Sequence, residues 1–251
     1  MKTNHQQISM VLLTVTMLVL LASATAHADN IYVSCSVGGI IEKFDSSGNR
    51  STFASGLYEP MGLAFDSSGN LYGTNYDYGG GTIVKFDSSG NGTTFASSSV
   101  LHPHGLAFDS SDNLYVANYD YGTIVKFDSS GNRSTFASGL NCPIGLAFDS
   151  NGNLYVANNG NRTIEKFDSS GNRSTFAWCL GYPYGIAFDS SGCLYVADLY
   201  GTIEKFDSSG NRALFASGLS SPSFIATQVP EPATLLLLGL GGLALLRKQR
   251  K

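Results

Sequence analysis

Through the middle of the chain, short apolar runs alternate with polar turns at a period of about 40 residues. Gly105–Leu140 is a representative stretch, and four classes of apolar run recur around it. The first reads Gly-Leu-Ala-Phe-Asp and starts at Gly62, Gly105, Gly145 and Gly185, with Ile186 replacing Leu in the last copy. The second reads Leu-Tyr-Val-Ala-Asn or a near variant, from Leu71, Leu114, Leu154 and Leu194, with Ile31-Tyr32-Val33 as an early copy. The third reads Thr-Ile-x-Lys-Phe-Asp and carries Phe44, Phe86, Phe127, Phe167 and Phe206. The fourth is built on Ser-Thr-Phe-Ala and carries Phe53, Phe95, Phe136, Phe176 and Phe215. Brief β-branched and aromatic runs with regular turn signals predict an all-β chain of strands in meander order.

The turns agree with the strands. Asp-Ser-Ser-Gly-Asn, or a close variant, follows both the first and the third class, as at Asp66–Asn70, Asp128–Asn132, Asp149–Asn153 and Asp207–Asn211. The Asp side chain can accept from backbone two residues on, and Gly takes the left-handed position that closes a hairpin. Calcium binding is the functional alternative. These loops lack the alternating carboxylates and distal Glu of an EF-hand loop, so hairpin turns are the expectation.

Four strands per period is the signature of a propeller blade. The third and fourth classes occur five times, but the chain enters at a second-class strand. Ser223-Phe224-Ile225-Ala226 follows Ser221-Pro222 as the other first-class strands follow their Pro. The expectation is five four-stranded blades, closed by pairing this C-terminal strand with the N-terminal three, which leaves no open edge.

The pattern Pro-x-Gly-Leu-Ala-Phe-Asp…Asn-Leu-Tyr-Val-Ala-Asn…Ile-x-Lys-Phe-Asp resembles NHL repeats, and more loosely the gluconolactonase/regucalcin-like propellers. The likeness spans nearly all of 31–226. It implies the fold more than an activity, since such propellers include hydrolases, lyases and binding modules. The gluconolactonase resemblance implies a metal in the central mouth, with ligands just after the Pro of Pro-x-Gly. Those positions hold Met61, His104, Ile144 and Tyr184. No carboxylate or amide matches, so no metal and no cofactor are expected.

The two ends point outward from the cytoplasm. Residues 1–28 read as a secretory leader: Lys2, the apolar Ile8–Ala22, and a small-x-small site at Ala26-His27-Ala28. The alternative is an N-terminal membrane anchor, for which the run is short. Residues 29–228 then form the propeller. At 229–251, Pro230-Glu231-Pro232 precedes an apolar run, Thr234–Leu246, and a basic tail. This order resembles the PEP-CTERM sorting signal of Gram-negative bacteria. It implies a short C-terminal transmembrane helix, processing by an exosortase, and delivery to the cell surface or matrix. The alternative is a plain C-terminal anchor. The net charge of −4 gives no broad basic surface, so nucleic acid is not expected as a partner.

Four cysteines, Cys35, Cys142, Cys179 and Cys193, show no zinc-ligand spacing. Export permits disulfides. Cys142 and Cys179 both lie in connections between successive blades, which makes them the disulfide candidates, whereas Cys193 lies in a turn on the opposite face.

Strand polarity puts every Asp-Ser-Ser-Gly-Asn turn on one face. The opposite face varies between copies, as a recognition face on a repetitive scaffold would. Near its centre lie His104 and Tyr184, then Asn75, Asn118, Asn158 and Asp198, and beyond them Tyr78, Tyr119, Asp120 and Tyr121. Tyrosine faces beside amides and carboxylates suit sugar rings; the alternative is packing between blades. His102 and His104 flank Pro103, and Asp198 could pair with His104 as an acid/base couple. The equivalent Lys43, Lys85, Lys126, Lys166 and Lys205 could form a ring for a polyanion, or cover apolar surface with their stems. Two functions remain: a non-catalytic surface or matrix module for exopolysaccharide or an envelope protein, and a lactonase- or lyase-like enzyme at the mouth.

Overall fold

A computed structural model describes residues 19–21, 30–45, 47–77 and 80–223. Five four-stranded antiparallel sheets follow one another along the chain, each in sequence order. Blade 4 shows the plan: an inner strand Pro143–Phe148, a second Leu154–Asn158, a third Thr163–Phe167 and an outer Arg173–Ala177. Blade 2 runs from Pro60 to Val100, blade 3 from Pro103 to Ala137 and blade 5 from Pro183 to Ala216. The expected five-bladed, four-stranded, all-β architecture is present.

Each turn closes through its Asp. In Asp168–Asn172, Asp168 Oδ1 accepts from the N–H groups of Ser170 and Asn172 at 2.9 Å each, and Oδ2 accepts from Asn172 Nδ2 at 2.8 Å. The carboxylate is satisfied within its own loop, the arrangement that Asx turns favour.

Blades pack on one another through a repeated aromatic joint. Tyr155 of blade 4 meets Phe176 of its own outer strand at 5.1 Å and Phe188 of blade 5 at 4.8 Å, both edge-to-face. Phe176 then meets Phe206 of blade 5 at 5.7 Å. Edge-to-face pairs of this kind are worth about 0.5–1.5 kcal/mol beyond their burial. Around each joint Ile164 and its equivalents Ile41, Ile83 and Ile124 are fully buried. Inner strands crowd the axis, and glycine makes this possible: a Cβ on Gly105 would collide with the carbonyl oxygen of Ile144 in the next blade.

Two features differ from the expected ring. The strand paired with Ile31–Cys35 is Val19–Leu21, from within the expected leader, with Leu20 opposite Tyr32. The expected partner, Ser223–Ala226, lies beyond the described residues after Ser223. Apolar cores join blades 1–2, 2–3, 3–4 and 4–5, and among the described residues no such core joins blade 5 to blade 1. Phe215 is 59% exposed and Leu219 41%, whereas Leu180, the equivalent of Leu219, is 3% exposed. Among the described residues, Val19–Leu21 occupies the inner position of blade 1.

Candidate functional site

On the variable face, the connection into blade 3 turns sharply. His102, just before Pro103, has φ of 52°, which points its ring back toward blade 2. It stacks on Tyr76 with centroids 3.9 Å apart and 21° between planes. Its Nδ1 lies 3.5 Å from Asp120 Oδ1. His104, two residues on, begins the inner strand and is 4% exposed. Its ring lies 4.7 Å from Tyr119 and 6.1 Å from Tyr184, which comes from the inner strand of blade 5. Tyr58 extends the strip outward, 6.5 Å from Tyr76.

His104 is the unusual member. Neither ring nitrogen has a hydrogen-bond partner. Burial, then the neighbouring His102, lowers its pKa to about 3, so the ring is neutral. A buried polar group without partners is costly, which makes it a place where a ligand's hydroxyl gains by binding. Burial and the nearby Tyr119 push Tyr184 up to about 12. Tyr119 is raised to about 12, first by its hydrogen bond with Cys142 and then by burial. A second aromatic group sits further round: Arg162 Nη2 donates to the Tyr182 hydroxyl at 3.1 Å and Tyr182 meets Tyr200 at 5.2 Å.

The structure brings His104, Tyr119 and Tyr184 together, with Asp120 beside His102. Tyr121 is 65% exposed at the rim, and Tyr78 lies outside the described residues. The expected roles of Asn75, Asn118, Asn158 and Asp198 need correction. Asn158 is fully buried; its Oδ1 accepts from Asn141 N–H at 2.7 Å and its Nδ2 donates to Thr163 at 3.2 Å. Asn75 and Asn118 do the same for Tyr58 and Leu101. Asp198 accepts from the N–H groups of Gly181, Tyr182 and Tyr200. These four fasten the blade-to-blade connections. Asp198 therefore makes no couple with His104; the imidazole–carboxylate pair is His102 with Asp120. Tyr58 and Tyr182 are members that sequence patterning did not single out; Tyr76 and Arg162 lie on the variable face that it picked out.

The cysteines also differ from expectation. All four are free thiols, so the expected Cys142–Cys179 bridge is not formed. Cys142 immediately precedes an inner strand, beside Tyr119, while Cys179 takes the place of Gly139 one blade further round. The five equivalent lysines each sit over the ring of the equivalent tyrosine, from 5.1 Å for Lys205 over Tyr195 to 5.7 Å for Lys43 over Tyr32. Their charge is engaged blade by blade. Among the described residues, no group of three His, Cys, Asp or Glu side chains is placed to hold a metal ion.

Comparison with known proteins fits this architecture. The NHL repeat matches at residues 140–167, the core of blade 4, and the PEP-CTERM protein-sorting motif matches at 228–251. The chain is a five-bladed propeller that carries an NHL repeat and a PEP-CTERM sorting motif. No curated protein sequence matches it. The NHL-repeat propeller is similar in structure to virginiamycin B lyase from Staphylococcus aureus, at 14% identity over 84% of this chain and 74% of that one, with TM-score 0.69. A gluconolactonase from Xanthomonas campestris gives 19% identity, 79% and 76% coverage and TM-score 0.70. A nidogen/laminin complex contains a chain 26% identical, with 77% and 80% coverage and TM-score 0.68. The lyase and the gluconolactonase share the fold with it. The sorting motif marks the NHL-repeat propeller for export and for exosortase processing. Pro230, Glu231, Pro232 and the apolar run after them lie outside the described residues.

Proposed function

We propose that this exported propeller is a non-catalytic binding module that holds an extracellular polysaccharide against the aromatic strip on its variable face. The observation that carries this reading is His104: a neutral imidazole with both nitrogens unpartnered, walled by Tyr119, Tyr184 and His102. Flat rings beside an unsatisfied hydrogen-bonding group are what a sugar ring and its hydroxyls match. Carboxylates and amides that could drive chemistry here are engaged in the frame, apart from Asp120. The sorting signal supports delivery to the cell surface or matrix, after removal of residues 1–28, and such a location suits a polysaccharide ligand.

The test is a glycan array probed with the processed, exported protein, followed by calorimetry on the best binder. Binding that falls at least tenfold in His104→Phe and in Tyr119→Ala supports the reading. No glycan binding, with capture of a purified envelope protein instead, would move the ligand to protein; the likeness to a chain of the nidogen/laminin complex makes this the alternative ligand.

The His102–Asp120 pair, 3.5 Å apart, favours a second reading, a lactonase- or lyase-like enzyme using His102 as base. Lactone or cyclic-ester turnover that disappears in His102→Gln, without glycan binding, would establish it.

A further inference from the structure

One position on the variable face carries a residue that its backbone does not favour. Where the second strand passes to the third, blades 1, 3 and 5 place Gly39, Gly122 and Gly201, with φ of 62°, 61° and 93°. A Cβ on any of them would collide with the carbonyl oxygen of Leu57, Leu140 or Leu219, in the connection that leaves the same blade. Blade 4 places Arg162 there, with φ of 59°. The left-handed region is disfavoured for a side chain of this kind. The connection yields to it. Leu57, Leu140 and Leu219 donate to those glycine carbonyls at 2.9, 2.9 and 3.0 Å, whereas Leu180 donates to the Arg162 carbonyl at 3.3 Å. A residue held against its local preference points to a use for its side chain.

The frame does not supply that use. Arg50, Arg173 and Arg212 each pair with a Glu of their own blade, at 2.8 Å for Glu42 and 3.0 Å for Glu165 and Glu204. Among the described residues Arg162 forms no ion pair, and it is exposed. Its guanidinium lies over the Tyr182 ring at 4.8 Å, and its single side-chain hydrogen bond there is the one from Nη2 to the Tyr182 hydroxyl, at 3.1 Å. The remaining N–H groups of the fork have no protein partner among the described residues. Tyr200 meets Tyr182 edge-to-face at 5.2 Å and is 68% exposed. Asp198, the acidic side chain of this corner, is held by the N–H groups of Gly181, Tyr182 and Tyr200. The corner therefore offers an unpaired positive charge beside an open aromatic face.

It also adjoins the His104 strip. Tyr182 and Tyr184 flank Pro183, and the Tyr184 ring lies 6.1 Å from that of His104. The two ends of this run differ in charge. Asp120 stands beside His102 near the His104 end and disfavours an anion there, whereas Arg162 attracts one.

We propose that Arg162, Tyr182 and Tyr200 form a second subsite that takes the carboxylate of a uronic acid residue, with the sugar ring against Tyr200. The ligand is then an acidic polysaccharide, with a charged residue at Arg162 and a neutral one at His104. A guanidinium grips a planar carboxylate through two parallel N–H···O bonds, and stacking on Tyr182 holds the fork ready for it. This inference rests on the reading of the variable face as a polysaccharide site and names the class of polysaccharide.

Its test compares oligosaccharides that join glucuronic, galacturonic or mannuronic acid to neutral hexoses with their carboxyl-reduced forms, by calorimetry on the processed, exported protein. The best acidic binder is expected to exceed its reduced form by about tenfold or more, and that preference is expected to shrink as salt is raised. In Arg162→Gly, which restores the residue the backbone favours, the preference is expected to vanish while the melting temperature does not fall. A preference unchanged in Arg162→Gly would overturn the subsite and leave Arg162 as a brace on Tyr182. Should Arg162→Gly fail to fold, Arg162→Gln decides by the same preference. Equal binding of both forms, weakened by His104→Phe, would overturn the acidic subsite and keep the polysaccharide reading. Acidic binding lost in Arg162→Gly but unaltered in His104→Phe would keep the subsite and overturn the role of His104. Binding of neither form would overturn both.

Discussion

The rings of Phe176 and Phe206 meet at 5.7 Å across the joint between blades 4 and 5, 61° apart. Phe215 is the equivalent of Phe176 one blade on and is 59% exposed. Truncating Phe176 removes an aromatic from a formed joint, at a cost of about 3 kcal/mol. Phe215→Ala, at an exposed ring, is expected to cost under about 1 kcal/mol. Urea unfolding of the two variants checks this.

Asn158 tests the division between frame and ligand site. It is buried and accepts from Asn141 N–H at 2.7 Å. Asn158→Ala leaves that N–H unsatisfied and is expected to cost about 1–3 kcal/mol. Glycan affinity, measured well below the melting temperature, should be unchanged. A large loss of affinity in a folded Asn158→Ala variant would return this residue to the binding site.

Acid should destabilise the protein through His104. Burial lowers its pKa from 6.5 to about 3. The neutral ring's contribution is fully present above about pH 6.5, where unfolded histidine is also neutral, and is lost as pH falls toward 3. Melting temperatures from pH 7 to 4 should decline in the wild type. His104→Phe should flatten the part of that slope between 6.5 and 4. A parallel decline in the two proteins would place the acid sensitivity elsewhere.

The turn aspartates act lower on the pH scale. Asp45, Asp87, Asp128, Asp168 and Asp207 are held below the usual carboxylate range, first by the side-chain hydrogen bond of the Asn four residues on, then by that residue's backbone N–H. Their contribution is present above the unfolded value of 3.8 and is lost as pH falls through the folded values. Changing Asn132 to Ala should raise the pKa of Asp128, seen as a shift of its carboxyl carbon titration by NMR. An unmoved titration would mean that the amide contributes nothing.

The frame was legible because it is local and repeated. Phe176, Ile164 and Asp168 recur in register, and each copy confirms the period of the others. Strand polarity puts His104, Tyr119 and Tyr184 on one face, and the rings of Tyr119 and Tyr184 lie 4.7 and 6.1 Å from that of His104. Asn158 and Asp198 misled because an amide at the end of a strand looks the same whether it faces a ligand or a linker N–H; only the path of the connection decides. The stacking of His102 on Tyr76 was not legible because Tyr76 belongs to the neighbouring blade, and a left-handed φ before Pro103 is not written in residue types. The strand Val19–Leu21 was invisible for another reason: an apolar leader and an apolar inner strand have the same composition.

The joints between blades are interchangeable in a way that bears on how the chain could change length. Tyr155, Phe176, Phe188 and Phe206 are matched residue for residue by Tyr115, Phe136, Phe148 and Phe167. Excising one whole period, from a position in one turn to the same position in the next blade, would rejoin two surfaces that already fit. Copying a period would insert a blade that fits on both sides. Within the array, blade number is free of the sequence that specifies each blade.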